Sequence, residues 1–252
     1  MAATTSRPEP APETAADERP LLRFTRGERW AHWVNAALFA IVMLTGAVMY
    51  IDSLALLVGN RLVVRTLHTY AGLAIPVALL VALAPRWGRA LRRDLGRLNR
   101  FTPDDKRWLR NRLRRLPDGD APPRLGKFNP GQKLNAAFVL GAGAVMVATG
   151  SIMHWYEPFS NEVRRGATFT HDWFAFFIWL AVIGHVILAL RDPVSLRAMV
   201  RGTVPARWAR AERPAWYAEV PGAGEPEAAV PDPARTGDPA PDTTGGASPA
   251  SQ

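Results

Sequence analysis

HDWFAFFIWLAVIGH, residues 171–185, is an apolar stretch that begins and ends with histidine and has Asp172 as its only charged residue. The apolar run continues to Leu190, and a run of roughly 20 residues is long enough for a helix to cross a hydrocarbon layer of about 30 Å. In a helix, the fourteen steps from His171 to His185 correspond to roughly 21 Å along the axis and about 40° around it. The stretch therefore predicts a membrane-spanning helix with two histidines on nearly the same face at different depths.

Three other apolar blocks resemble this one in length, and none of them contains Lys, Arg, Asp or Glu. All of the prolines except Pro76, and all of the 31 basic residues, lie outside the blocks. Segregation of this kind is typical of membrane proteins. The sequence thus predicts an all-α integral membrane four-helix bundle, with spans at about residues 30–51, 66–84, 134–156 and 171–190.

The connections between the spans differ strongly in basic residues. Segment 86–133 has fifteen Lys and Arg, whereas 52–65 and 157–170 have two each. Basic loops stay in the cytoplasm, so both termini and the long middle loop are predicted to be cytoplasmic (N-in, C-in). Within that loop, Thr102 can cap an amphipathic helix that begins at Pro103 and lies on the membrane surface. The alternative is that this segment is a solvated basic connector.

Both ends of the chain are rich in Pro, Ala and small polar residues. They lack apolar residues that could form a core, so residues 1–20 and 216–252 are predicted to be disordered tails around a membrane domain at 21–215. No recognition motif accompanies the net charge of +9, so nucleic acid is not an expected partner, whereas membrane lipid is. Cysteine is absent, which excludes iron–sulfur ligation and thioether-bound haem within this chain.

All five histidines lie in or at the ends of the apolar blocks, where ionisable side chains by default mark a functional site. With the predicted topology, His32 and His185 lie toward the cytoplasm, and His68 and His171 lie at the periplasmic starts of their spans. Each of these two pairs can offer two neutral imidazoles to opposite faces of a haem iron. His154 is predicted to belong to an interfacial aromatic belt, with ligation in place of His68 or His171, or proton handling, as alternatives.

Two arginines precede proposed ligands by three residues, Arg29 before His32 and Arg65 before His68. Each lies about one helical turn outward of the histidine, where a haem propionate would emerge. Either arginine can instead be an interfacial residue whose side chain extends to the lipid headgroups.

Four stretches of the chain resemble the cytochrome b (gamma) subunit of respiratory formate dehydrogenase, and the resemblance covers about residues 21–215. The stretches are RFTRGERWAHWVNAALF (23–39), LHTYAG (67–72), GKFNPGQKLNAAF (126–138) and the histidine-bounded segment 171–185. The histidine pattern is shared with cytochrome b subunits of nickel–iron hydrogenases. The stretch GKFNPGQK favours the formate dehydrogenase branch.

The resemblance implies two non-covalent b haems, with His68 and His171 on one iron and His32 and His185 on the other. It also implies a quinone site at Asn129, Gly131 and Gln132, for which a simple helix-start turn is the alternative. The expected partners are an iron–sulfur beta subunit and a catalytic alpha subunit that oxidises formate, a reaction for which this chain has no site. Electrons would pass from the periplasmic side to a quinone reduced near the cytoplasmic side of a bacterial inner membrane.

Other functions are open at this stage. A hydrogenase cytochrome b would use the same haem arrangement with a different partner. A haem-free four-helix transporter or a membrane anchor would use the histidines for protons or metal, or not at all. A reduced-minus-oxidised absorption spectrum separates these classes.

Overall fold

The computed structural model describes residues 18–116 and 122–221. The predicted tails at 1–20 and 216–252 therefore fall largely outside the described residues. The described part is mostly helical, and it contains four helices that are long and apolar enough to cross a membrane, as predicted. Around these spans lie shorter helices and one small antiparallel sheet.

The four spanning helices are α1 Arg26–Tyr50, α3 Arg61–Ala82, α6 Pro130–His154 and α7 Asn161–Arg191, and a short helix, α2 Asp52–Val58, connects the first two. Each long helix begins at a polar cap: the side chains of Thr25, Asn60, Asn129 and Ser160 accept hydrogen bonds from backbone N–H groups of the first turn. The helices therefore start several residues before the charge-free blocks, because the caps lie in the flanking polar segments.

The spans are arranged as two helix pairs, α1 with α3 and α6 with α7. Their outer faces carry large apolar side chains that are well exposed, for example Leu80 at 69% and Leu188 at 65%. Exposed apolar faces of this extent are not stable in water, but they are the expected surface of helices surrounded by lipid.

The described residues of the basic segment between the helix pairs fold back against the end of the bundle. It contains α4 Arg89–Leu98 and α5 Pro103–Arg114, which contact the starts of α1 and α6. The predicted N-terminal helix cap is present: Thr102 and Asp105 exchange hydrogen bonds in a capping box at the start of α5. The sequence did not predict α4.

The segments before α1 and after α7 meet at the same end of the bundle. Strand β1 Pro20–Leu22 pairs antiparallel with β2 Thr203–Pro205, and helices α8 Pro193–Arg201, α9 Ala206–Glu212 and α10 Pro214–Glu219 surround this sheet. Leu21, Phe24, Val204 and Trp216 are among the residues of its buried core. We call this region, together with residues 86–116 and 122–129, the cap.

The cap corrects the predicted extent of the ordered chain at its C-terminal side. Helix α10 crosses the boundary placed after residue 215, and Trp216 is only 4% exposed within the core of the cap. The short apolar segment is stabilised by contacts with distant parts of the chain, which its Pro- and Ala-rich neighbourhood does not reveal. The strands β1 and β2 were likewise not predicted, since each has only three residues.

Candidate functional site

The four predicted ligand histidines come together in two pairs. The ring centroids of His32 on α1 and His185 on α7 are 6.2 Å apart, and those of His68 on α3 and His171 on α7 are 6.3 Å apart. We call these the cap-side pair and the far pair. Helix α7 contributes one ring to each pair, so the regular helix geometry fixes the distance between them at about 21 Å.

The spacing within each pair fits an iron held between two imidazoles. Two metal–nitrogen bonds of about 2 Å in line, together with the two ring radii of a little over 1 Å, put the ring centroids about 6 Å apart. Helix α7 makes at most marginal backbone contact with α1 and α3 in the described part of the chain. The two rings of each pair therefore lie opposite each other across a space between the helix pairs.

A bare metal ion fits the same residues poorly. Within residues 18–116 and 122–221, no three His, Cys, Asp or Glu side chains converge on one point. A structural zinc site takes four protein ligands, whereas haem iron needs only two axial ones because the porphyrin supplies the others. The donor sets therefore fit haem.

Two threonines lie against the far pair, and neither was predicted from the sequence. Thr45 Oγ1 lies 3.0 Å from His68 Nδ1, and Thr149 Oγ1 lies 3.0 Å from His171 Nδ1. The following glycines lie against the same rings, since a Cβ at Gly46 or Gly150 would come within 3.4 or 3.3 Å of a ring carbon. The repeated Thr-Gly dipeptide in LTGAVM (44–49) and ATGSIM (148–153) was the available signal.

The two arginines proposed near propionates differ in the structure. Arg29 donates from Nη1 to the carbonyl oxygen of Val200 at the end of α8, and its Nε is buried without a hydrogen-bond partner. Arg65 is exposed one turn before His68. Arg29 therefore connects the cap to α1 beside His32 and retains one unused donor.

The predicted quinone residues form the start of α6. Asn129 Oδ1 accepts from the backbone N–H of Gln132 at 2.9 Å, and Gln132 Oε1 accepts from that of Asn129 at 3.0 Å. This reciprocal capping box uses both side-chain oxygens and leaves both NH2 groups as donors. Gly131 is exposed between them, close to the Trp108 ring.

His154 is separate from the other four histidines. It is the last residue of α6, it is exposed, and its ring stacks edge-on against Trp155 with centroids 4.9 Å apart. In the structure it pairs with none of the proposed ligands.

A buried ionic cluster lies one helical turn before His32, and the sequence reasoning did not predict it. Lys127 donates to Glu28 Oε1 at 3.1 Å and to Asp94 Oδ2, and all three side chains are at most 6% exposed. Burial and a hydrogen bond with Glu28 raise the pKa of Asp94 to about 6, although Lys127 acts in the opposite direction. The cluster ties α1, α4 and the segment before α6 together.

A helical membrane bundle with two imidazole pairs spaced for axial ligation is the architecture of a membrane cytochrome b. The chain belongs to the prokaryotic cytochrome b561 family, which it matches over residues 23–202. It is therefore a multi-pass bacterial membrane protein with a role in electron transfer, and membership implies binding of haem b.

Several similar proteins are formate dehydrogenase subunits. The chain is 27% identical over 215 residues to the formate dehydrogenase cytochrome b556 subunit of Haemophilus influenzae, covering 82% of this chain and 86% of that protein. It is 27% identical over 209 residues to the cytochrome b556(fdo) subunit of Escherichia coli K12, covering 79% and 93%. The nitrate-inducible cytochrome b556(Fdn) subunit of the same strain is 27% identical over 202 residues, covering 77% and 88%.

Proposed function

We propose that this chain is the membrane subunit of a formate dehydrogenase complex of the bacterial inner membrane, carrying electrons from a periplasmic iron–sulfur subunit to quinone at the cap side. The observation that carries the proposal is the presence of two imidazole pairs, with centroids 6.2 and 6.3 Å apart, at the two depths of one bundle. The names of the similar proteins support formate as the source of the electrons.

Each imidazole pair would hold one haem b, which supplies a one-electron iron couple when bound. His68 and His171 would hold the haem on the periplasmic side, and His32 and His185 the haem beside the cap. Because the chain has no cysteine, an iron–sulfur relay would belong to a partner, the beta subunit, and formate would be oxidised on the alpha subunit. Reduction of quinone beside the cap would take its protons from the cytoplasm.

The choice of electron donor is tested on the complex purified through a tag on this chain. Formate is expected to reduce both haems when quinone is absent, as followed by the haem absorption bands, and an added quinone should reoxidise them. Hydrogen should have no effect. Reduction by hydrogen and not by formate would show a hydrogenase partner, and a chain without haem would contradict the whole proposal.

The quinone site is proposed at the start of α6. There the NH2 groups of Asn129 and Gln132 can donate hydrogen bonds to a quinone carbonyl, because the capping box occupies only their oxygens. Such bonds strengthen as negative charge builds on the reduced oxygen, so they favour reduction more than binding.

Asn129→Asp and Asn129→Ser both keep a side-chain oxygen that can cap α6, and both remove the NH2 donor. Quinone reduction is expected to fall at least about tenfold in both, as for loss of a hydrogen bond to a charged group worth about 1.5–3 kcal/mol. Both haems should remain bound and reducible by formate. The rate of quinone reduction by the purified complex is the measurement.

Asn60→Asp is the matched control, because Asn60 caps α3 at the opposite end of the bundle through the same kind of hydrogen bond, at 3.1 Å to the N–H of Val63. It should leave quinone reduction unchanged. Normal turnover in both Asn129 variants would assign this residue to the helix-start turn alone.

A further inference from the structure

The far pair differs from the cap-side pair in its hydrogen bonds. Thr45 reaches from α1 to His68 on α3, and Thr149 reaches from α6 to His171 on α7. Each half of the bundle thus supplies one threonine and one histidine in the same arrangement. For His32 and His185, the described part of the chain shows ring contacts but no hydrogen bond.

The hydrogen of each threonine hydroxyl is already used in a hydrogen bond to the backbone. Thr45 Oγ1 lies 2.6 Å from the carbonyl oxygen of Ile41, and Thr149 Oγ1 lies 2.8 Å from that of Val145. A carbonyl oxygen can only accept, and a hydroxyl has a single hydrogen, so each hydroxyl donates to the backbone four residues earlier.

Toward the imidazole, each threonine oxygen can therefore only accept a hydrogen bond. The hydrogen on the ring must then be on Nδ1, the nitrogen that lies 3.0 Å from the threonine oxygen in both pairs. In a neutral imidazole with hydrogen on Nδ1, the lone pair is on Nε2. The threonines thus select the tautomer that presents Nε2 to the space between the rings.

We propose that Thr45 and Thr149 are positioning residues that fix His68 and His171 as Nε2 ligands and lower the reduction potential of the haem held by this pair. A hydrogen bond from Nδ1–H to an oxygen makes an imidazole a more basic ligand and holds its orientation. A more basic ligand favours ferric over ferrous iron. The inference rests on the proposed haem ligation, and it distinguishes the two sites because the cap-side pair has no such threonine among the described residues.

The test uses Thr45→Val and Thr149→Val, which remove the hydroxyl with little change in side-chain shape. A redox titration followed by absorbance should show one haem with a higher midpoint potential and the other unchanged. We expect each substitution to change the reduction equilibrium about three- to tenfold, which is roughly 30 to 60 mV for one electron. The double variant should show a larger shift in the same haem.

Serine at either position keeps the hydroxyl and should restore the unsubstituted potential. Thr168→Val is the matched control, because Thr168 on α7 is exposed and donates to the carbonyl of Arg164 at 3.1 Å, and it has no hydrogen bond to a histidine in the described structure. Loss of one haem in the valine variants that the serine variants retain would also support the role of the hydroxyl.

Unchanged potentials with full haem content, a shift in the cap-side haem, or serine variants that behave like valine would each overturn the inference. The unsubstituted protein separates this failure from that of the proposed function. If it contains two haems that formate reduces, the function stands whatever the threonine variants show.

Discussion

Replacement of His185 or His32 by Ala is expected to remove one b haem and leave the second, so that the haem content falls from two per chain to one. Replacement of His68 or His171 should remove the other haem. A haem held by two axial imidazoles loses affinity and its low-spin spectrum when one of them is removed. The two pairs share no histidine and lie about 21 Å apart along α7, so each loss should be selective.

The measurement is the haem content from the pyridine haemochrome, combined with the dithionite-reduced spectrum of each variant. Acid–acetone should extract all the pigment, because no cysteine can attach it covalently. His154→Ala is the control and should keep both haems. In the described residues, the only aromatic ring that the His154 ring contacts is that of Trp155. Loss of a haem in that variant, with both retained in His68→Ala, would contradict the proposed ligand set.

The membrane bundle was predictable because its signals are local and regular. A charge-free run of about 20 residues predicts a span without any knowledge of its neighbours. Helix geometry then converts the fourteen-residue interval between His171 and His185 into a depth and a direction. In both cases, the regular geometry of a helix needs no information from distant parts of the chain.

The cap was not predictable in the same way, because distant segments build it. Strand β1 has only three residues, and its partner β2 follows the fourth span. Lys127 is 99 residues from Glu28 and 33 from Asp94 in the sequence. Where the sequence shows a basic loop, the folded chain therefore uses some of the basic residues as buried ion-pair partners.

The threonines beside the far pair fall between these two cases. Each lies 22 or 23 residues before its histidine, on the partner helix of its pair, so no periodicity within one helix reveals the contact. The repeated Thr-Gly dipeptide was visible, but its meaning depends on how α1 packs on α3 and α6 on α7. Side-chain partners across helices thus required the structure.

The second large effect is expected at Lys127, whose ammonium group separates two buried carboxylates. Lys127→Met would leave Glu28 and Asp94 facing each other without a cation between them, at side-chain exposures of 5% and 6%. Removing one partner of a buried ion pair costs about 3–5 kcal/mol, because the remaining charge has lost both its water and its partner. We expect a decrease of that size in the free energy of unfolding, measured by denaturant titration in mixed micelles.

Other charged groups can compensate only in part for the loss of the Lys127 ammonium group. Arg97 contacts Asp94 Oδ1 at 3.2 Å but is also paired with Glu219 at 2.7 Å, and its side chain is partly exposed. Arg23 donates to Ser195 and to the carbonyl of Lys127 itself. Lys106→Met is the matched control, because Lys106 is exposed on α5 and its loss should change stability by less than about 1 kcal/mol.

The decrease in the free energy of unfolding caused by Lys127→Met should depend on pH. The pKa of Asp94 is already raised to about 6 by burial and by the hydrogen bond with Glu28, and Lys127 is the group that opposes this rise. Without Lys127 the pKa of Asp94 rises further, so the folded variant holds a proton that the unfolded chain releases near its ordinary pKa of about 3.9. A group with a raised pKa contributes stability below the unfolded value and loses it as the pH rises through the folded value.

The variant should therefore be closest to the unsubstituted protein near pH 5, where a proton can take the place of the ammonium group between the carboxylates, and furthest from it near pH 8. Asp94→Asn in the same background removes one of the two buried charges and should recover much of the lost stability at pH 8. A loss of stability that stays constant from pH 5 to 8, or one that Asp94→Asn does not reduce, would show that Lys127 stabilises the cap through the contacts of its ammonium group with the Phe24 and Phe128 rings instead of through its ion pairs.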